Sequence, residues 1–349
     1  HTRGVQRTPP LAAESQERPS AGPLLRRHAQ WHKIEKRLQA FFFLSNFEVH
    51  KMLDVSLPGT GGSVPRLDRF LCCCYMRYNG VGLLIDCGEG TQLAVKNAGF
   101  SLGKIGTILI THFHADHISG LPGLLLSMGN EGHTAPLTIA GPRGIGEIVK
   151  ALTIIAPDLP FRVNTVELGD FSTLNRHGFG ITSFEVRHSC PCLGYDIRIA
   201  RGGKFDRAKA EANGVPIKLW SKLQKGESVD GYTPDMVLGE ARRGIHVTYT
   251  TDTRPVGIIG MMAAEADLLI CEGMFERAKN DRAKESSHMT MADAAKLARE
   301  AECSELWLTH YSPALTDPDE FANEATSVFP NTIVSRDAQT KTIRFEDEE

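Results

Sequence analysis

A layered α/β fold, with two β-sheets face to face and helices outside them, is what this sequence predicts. Three observations carry the prediction. Apolar stretches of strand length recur along the chain, and several end in histidine, aspartate or glutamate. Stretches of helical character lie between them, which places helices on the outer faces of the sheets. The densest polar cluster, Thr111-His112-Phe113-His114-Ala115-Asp116-His117, follows directly on one apolar run, residues 105–110. Side chains at the ends of neighbouring strands converge on one edge of such a sandwich, giving an αββα architecture with the chemistry at that edge.

Taken in order, residues 1–51 read differently from the rest. Up to about Arg27 they are rich in Pro, Arg, Ser and Ala and are expected to be disordered. Trp31, Ile34, Leu38 and Phe42 then recur at helical spacing, consistent with a short amphipathic helix. The segment reads as an extension to a domain that spans 52–349, with Met52 a plausible natural start. A cleaved Arg-rich targeting peptide is the competing account.

From Met52 the pattern is regular. Strands are expected at 52–57, 70–78, 83–86, 105–110, 137–140, 161–168, 181–186, 195–200, 246–251, 267–271 and 306–308. Helices are expected at 124–128, 144–152 and 290–300. The Gly59-Thr60-Gly61-Gly62 stretch lacks the spacing of a nucleotide-binding loop and reads as a tight turn that lets a floor approach the site.

Composition excludes some classes. No run of about 18 apolar residues occurs, so a membrane span is not expected. The net charge of −3 gives no global attraction to nucleic acid. A local one exists: between Arg198 and Lys225 eight basic residues face two acidic ones, a local charge of +6. A field of that kind suits a phosphate backbone. The eight cysteines include the run Cys72-Cys73-Cys74 and have no disulfide-framework spacing, which fits a reduced, cytoplasmic setting. Cys190 and Cys192 flank Pro191 close to His188 and read as small packing residues beside a site.

Three histidines and an aspartate within six positions are a ligand set for a borderline divalent ion such as zinc. Alternate residues of an extended segment point the same way, so His112 and His114 suit one ion while Asp116 and His117 suit a second. Two ions need further ligands, including a carboxylate able to bridge. The candidates at strand ends are His188, Asp252 and His310. His133 and His246 lack that context.

The H-x-H-x-D-H pattern resembles the signature of the metallo-β-lactamase superfamily. That resemblance implies His112, His114 and His188 on a first zinc ion, Asp116, His117 and His310 on a second, and Asp252 bridging them.

A more specific resemblance is to ribonuclease Z in its short form, the tRNA 3′-processing endonuclease family. It rests on Gly59–Gly62, on Asp86-Cys87-Gly88-Glu89-Gly90-Thr91-Gln92, on Thr111–His117 with Gly120-Leu121-Pro122-Gly123, and on Gly141-Pro142-Arg143-Gly144. Gly194-Tyr195 after His188, Thr251–Pro255, Glu272 with Phe275, Ser287–Thr290 and Leu308–His310 continue it collinearly to about Asp337. It implies hydrolysis of the phosphodiester that joins a 3′ trailer to precursor tRNA, leaving a 3′-hydroxyl. It further implies Asp116 as general base, a Glu272–His288 pair serving proton transfer to the leaving oxygen, and a homodimer. An inserted basic arm at about 198–243, with Arg201, Lys204, Lys218, Lys222 and Lys225 as RNA contacts, would grip the tRNA. The arm departs from a Gly/Pro-rich tip at Ile217-Lys218-Leu219-Trp220. The rival reading is a small-molecule metallohydrolase of the same fold (phosphodiesterase, arylsulfatase or lactonase), which has no need of a basic arm.

Overall fold

A computed structural model describes residues 52–346. The expected disordered extension over 1–51 and its helix through Trp31 and Phe42 lie outside the described residues.

Two seven-stranded sheets form the centre. The first contains β1 (Met52–Gly59), β2 (Cys73–Tyr78), β3 (Val81–Ile85), β4 (Ile105–Leu109), β5 (Leu137–Gly141) and β6 (Val163–Glu167). The second contains β7 (Thr173–Arg176), β8 (Phe179–Val186), β9 (Cys192–Arg201), β10 (Arg242–Tyr249), β11 (Leu268–Glu272), β12 (Leu306–Thr309) and β13 (Thr332–Val334). The last strand, β14 (Gln339–Arg344), returns to pair antiparallel with β1 in the first sheet. The strand orders are β14-β1-β2-β3-β4-β5-β6 and β13-β12-β11-β10-β9-β8-β7.

The sheets are built alike. In each, three pairings are antiparallel and three are parallel, the parallel ones between strands joined by helices. Parallel pairing requires crossover helices on the outer faces, which the expected αββα layering anticipates. Ligands in α/β folds bind outside the carboxyl ends of parallel strands. Here those ends are the segments that follow β3, β4, β10, β11 and β12.

The core explains the cysteine run. Cys72, Cys74 and Met76 join the cluster between the sheets, with Leu53, Ile85, Phe179, Ile197, Val247, Tyr249 and Trp307. Cys73 and Tyr75 point the other way, into the cluster formed with Leu121, Leu124, Leu125 and Met128. The strand is covered on both faces, so small apolar side chains recur without alternation. The helix Leu121–Asn130 carries Pro122 in its first turn, where a missing N–H costs nothing, and lays Leu121, Leu124, Leu125 and Met128 on the sheet.

Expected and observed boundaries differ in instructive places. The strand expected from Phe70 starts at Cys73, because the N–H groups of Thr60 and Gly61 both bond to the Phe70 carbonyl and divert that stretch to the turn. The strand expected at 246–251 runs from Arg242 to Tyr249, so Asp252 stands in the loop beyond it. The strands β7, β13 and β14 were not expected. They are short and polar or sit at a sheet edge, where side chains carry little apolar signal.

The insertion between β9 and β10 has a small core of its own. Ala210, Val215, Leu219, Leu223, Val237 and Leu238 are buried, with Phe205, Trp220 and Tyr232 packed against them. Among the described residues, no helix is long and apolar enough to cross a membrane.

Candidate metal centre

The central motif leaves β4 and turns at once. Its backbone is tied to the end of β3: the Asp86 N–H bonds to the Leu109 carbonyl, and the Cys87 N–H to the His117 carbonyl, each at 2.8 Å. A short helix, Ala115–Ile118, then carries Asp116 and His117 around the corner from His112 and His114.

Two groups of ligand atoms result. In the first, His114 Nδ1 lies 2.9 Å from His112 Nε2 and 3.2 Å from His188 Nε2. In the second, His117 Nε2 lies 3.4 Å from an Asp116 oxygen, and His310 Nε2 lies 3.5 Å from the same oxygen. Asp252 stands between them with its oxygens divided. Its Oδ2 is 3.7 Å from both His112 Nε2 and His188 Nε2, while its Oδ1 is 3.2 Å from His117 Nε2 and 3.0 Å from His310 Nε2. Ligands about 2.0–2.1 Å from a tetrahedral ion stand about 3.3–3.4 Å apart. The observed separations cluster around that value, so the residues present fit a pair of divalent ions.

Unsatisfied atoms point the same way. His117 Nε2 and both ring nitrogens of His310 are buried and have no hydrogen-bond partner. Buried polar atoms without partners are uncommon and mark a strained or ligand-binding position. The close approaches to Asp252 lack hydrogen-bond geometry, as expected of lone pairs aimed at a shared point.

The far sides of the rings are held. Asp86 accepts from His117 Nδ1 at 2.9 Å and from the Thr111 N–H at 2.8 Å. The Thr111 hydroxyl donates to Asp86 and lies 3.1 Å from His112 Nδ1. His188 Nδ1 faces the Ser287 carbonyl at 3.2 Å. Partners of this kind fix ring orientation and leave the other nitrogen for an ion. Asp86 and His310 both adopt positive φ, +64° and +58°, conformations that cost energy for non-glycine residues and cluster at functional sites.

Electrostatics follows from packing two carboxylates among histidines. Burial alone would raise Asp252, but His310 and His117 hold it well below the usual carboxylate range. Asp116 is likewise lowered against its burial, by the close rings of His117 and His310. Burial opposes charge on His117, yet Asp252 and Asp86 raise it well above its ordinary value. Burial and the neighbouring His117 push His112 down to about 2. The carboxylates stay ionised and demand positive charge between them.

Beside this lies a second pair. Glu272, fully buried at the end of β11, has both oxygens 3.2 Å from His288 Nδ1. Burial lowers His288, but Glu272 outweighs it and brings the imidazole up to about 9. The other ring nitrogen of His288 is 3.9 Å from Asp252 Oδ2. A capping box between Thr290 and Asp293 sets the start of the helix Met291–Glu300 and so pins the segment carrying His288. The turn at Gly59–Gly62 forms the floor: a Cβ on Gly62 would stand 2.7 Å from the His310 ring. The Ser63 N–H donates to Asp116 at 2.7 Å.

All seven expected ligands and the Glu272–His288 pair therefore meet at one edge. His246 pairs instead with Asp196, and His133 with the Gly103 carbonyl. The basic residues of the insertion are divided. Lys218, Lys222 and Lys225 are exposed at helical spacing on or just beyond the helix Ile217–Gln224, opposite buried Leu219 and Leu223. Lys204 is also exposed. Arg201 turns toward the Glu346 carbonyl and the Phe345 ring, and Trp220 packs on Phe205 within the insertion core.

One residue read as packing stands within the first group. Cys190 Sγ joins the ligand nitrogens of His112, His114 and His188. Of the two cysteines read as packing residues, Cys192 is buried and Cys190 only partly so. The signal was the spacing: His188 and Cys190 alternate in the same way as His112 and His114.

Comparisons with known proteins agree on the fold. A family model described as "Anti-Pycsar protein Apyc1" matches residues 53–143. A protein named ribonuclease Z from Lachnospira eligens is 50% identical over 303 residues, 85% of this chain and 100% of that protein. A ribonuclease Z from Clostridium acetobutylicum is 45% identical over 307 residues, 84% of this chain and 99% of that protein. Among solved structures, the short form of human tRNase Z aligns with a TM-score of 0.61 at 24% identity, covering 82% of this chain and 98% of that one. The metallo-beta-lactamase fold protein YhfI from Bacillus subtilis aligns with a TM-score of 0.63 at 20% identity, covering 84% and 100%.

Proposed function

The chain belongs to the ribonuclease Z family, and on that premise we propose that its site removes the 3′ trailer of precursor tRNA by hydrolysing one phosphodiester. The observation that carries the reading is the divided carboxylate of Asp252, one oxygen toward each group of histidines. The rival small-molecule hydrolase is not favoured, because the relatives that match over nearly their whole length carry the nuclease name.

In this reading His112, His114 and His188 would hold one zinc ion and Asp116, His117 and His310 the other, with Asp252 shared between them. Bound there, two ions supply a water of lowered pKa and positive charge for the attacking and leaving oxygens. The donor set of imidazoles and carboxylates supports zinc.

The chain's own groups do the rest. Asp116, kept ionised and fixed by the Ser63 N–H, would orient the attacking water and accept its proton as general base. His288, protonated at neutral pH beside Glu272, directs its other ring nitrogen at the site and donates to the departing 3′ oxygen of the tRNA. The buried Glu272 keeps that proton in place until it is needed.

The insertion at about 198–243 serves as the RNA-binding arm, and the exposed Lys218, Lys222 and Lys225 meet the phosphate backbone, with Arg201 and Lys204 nearer its base. The domain spans 52–349 and works as a homodimer, a reading that rests on the family resemblance. Eight free cysteines, seven of them buried, suit the reducing cytoplasm.

The experiment is cleavage of a 5′-labelled precursor tRNA by zinc-loaded protein, with the product end mapped. A single cut that leaves a 3′-hydroxyl on the tRNA supports the reading. No cut on several precursors, with turnover of bis(p-nitrophenyl) phosphate, refutes it in favour of a small-molecule hydrolase.

A further inference from the structure

Cys190 differs from the other seven cysteines. Those are buried in the packing of the fold, whereas Cys190 is partly exposed on the loop between β8 and β9. Its sulfur and the ligand nitrogens of His112, His114 and His188 all lie within 4.8 Å of one another. Two loops therefore meet at this point, each offering a pair of ligand atoms two residues apart, His-x-His from one and His-x-Cys from the other.

We propose that Cys190 is a further side-chain ligand, through sulfur, of the ion that His112, His114 and His188 would hold with the bridging Asp252. The proposal rests on the reading that a divalent ion binds at that group. Three imidazoles, one carboxylate oxygen and one sulfur are all donors that zinc accepts, in a site that can expand to five ligands. The sulfur ligand is a thiolate, so binding releases the Cys190 proton to solvent. A soft donor at one group and only imidazole and carboxylate at the other make the two ions unequal. The group with sulfur selects zinc, cobalt or cadmium over manganese and magnesium, while the group with Asp116, His117 and His310 discriminates less.

The test uses the full chain loaded with cobalt(II), whose spectrum reports sulfur ligation directly. The wild type is expected to show a sulfur-to-cobalt charge-transfer band in the near ultraviolet, in addition to the visible bands of bound cobalt. That band is expected to vanish in Cys190→Ser and Cys190→Ala and to persist in Cys303→Ser, a cysteine buried outside the site. The preference for zinc over manganese, measured by competition, is expected to fall about tenfold or more in Cys190→Ser. Bound cobalt without the band in the wild type, or a band unchanged in both Cys190 variants, overturns the sulfur ligand and leaves the ion site standing. A wild type that binds no cobalt overturns both. The wild-type spectrum needs no variant to fold.

Discussion

Both carboxylate oxygens of Glu272 stand 3.2 Å from Nδ1 of His288. The carboxylate is fully buried, its Oε1 accepts from the Thr253 N–H at 2.6 Å, and its Oε2 accepts from the Met289 N–H at 3.3 Å. A carboxylate so tethered fixes the tautomer and charge of the imidazole, and through it the direction of the second ring nitrogen.

That relationship separates two substrates. The 3′ oxygen of a ribose is a poor leaving group and needs a proton, whereas p-nitrophenolate leaves without one. Glu272→Gln and His288→Ala are expected to lower kcat on precursor tRNA by about 10²–10⁴-fold and to leave hydrolysis of bis(p-nitrophenyl) phosphate within a few-fold. Parallel losses on both substrates contradict the proton-donor role.

Asp86 touches no substrate, yet it orients His117 and, through Thr111, His112. Asp86→Ala is expected to weaken metal binding by about 10–100-fold, read by competition with a chelator. Unchanged affinity would mean that the rings are held by packing alone.

The lysines at 218, 222 and 225 share one exposed helix face. Replacing all three by alanine is expected to weaken precursor binding and to lower the log–log salt slope by roughly one unit for each phosphate no longer neutralised. Turnover of the small diester is expected to be unchanged. A salt slope equal to wild type would place the RNA elsewhere.

Away from the site, buried Asp196 bonds to His246 and to Arg198, at 2.9 Å in the latter case. Burial would raise Asp196, but His246 and Arg198 bring it below its ordinary value. A carboxylate lowered on folding contributes stability that is present above its unfolded pKa of about 3.9 and is lost as pH falls through the folded value. Asp196→Ala is expected to cost about 3 kcal/mol at neutral pH, because it takes the carboxylate away from buried His246. The gap between urea titrations of the two proteins is expected to shrink as pH falls from about 4 through the lower folded value; a gap that does not change across that range contradicts the pairing.

Much of this was legible because the site follows strands. Residues 105–110 are apolar but for Thr107, and the ligands begin three residues after β4 ends. His188 stands two residues beyond β8, and His310 directly follows β12. The edge strands β7, β13 and β14 were not legible, since exposed alternate positions such as Thr173, Ile333 and Thr340 read as loop or noise. Asp86 was seen only as the end of a strand, because its partners Thr111 and His117 are 25 and 31 residues away in sequence. Cys190 was weighed as a ligand and read as packing, since cysteine in a reduced chain is more often packing than ligand; the position of its sulfur among three imidazole nitrogens is visible only in the fold.

The most direct test of the bridged site is the effect of Asp252→Ala on metal content and on precursor tRNA cleavage, measured on the same preparation. The expected result is loss of metal from the wild-type level and loss of trailer removal by at least 10³-fold, roughly the scale of removing a principal electrostatic contributor. A variant that keeps the wild-type metal content and cuts precursor tRNA at the wild-type rate would contradict the account at its centre.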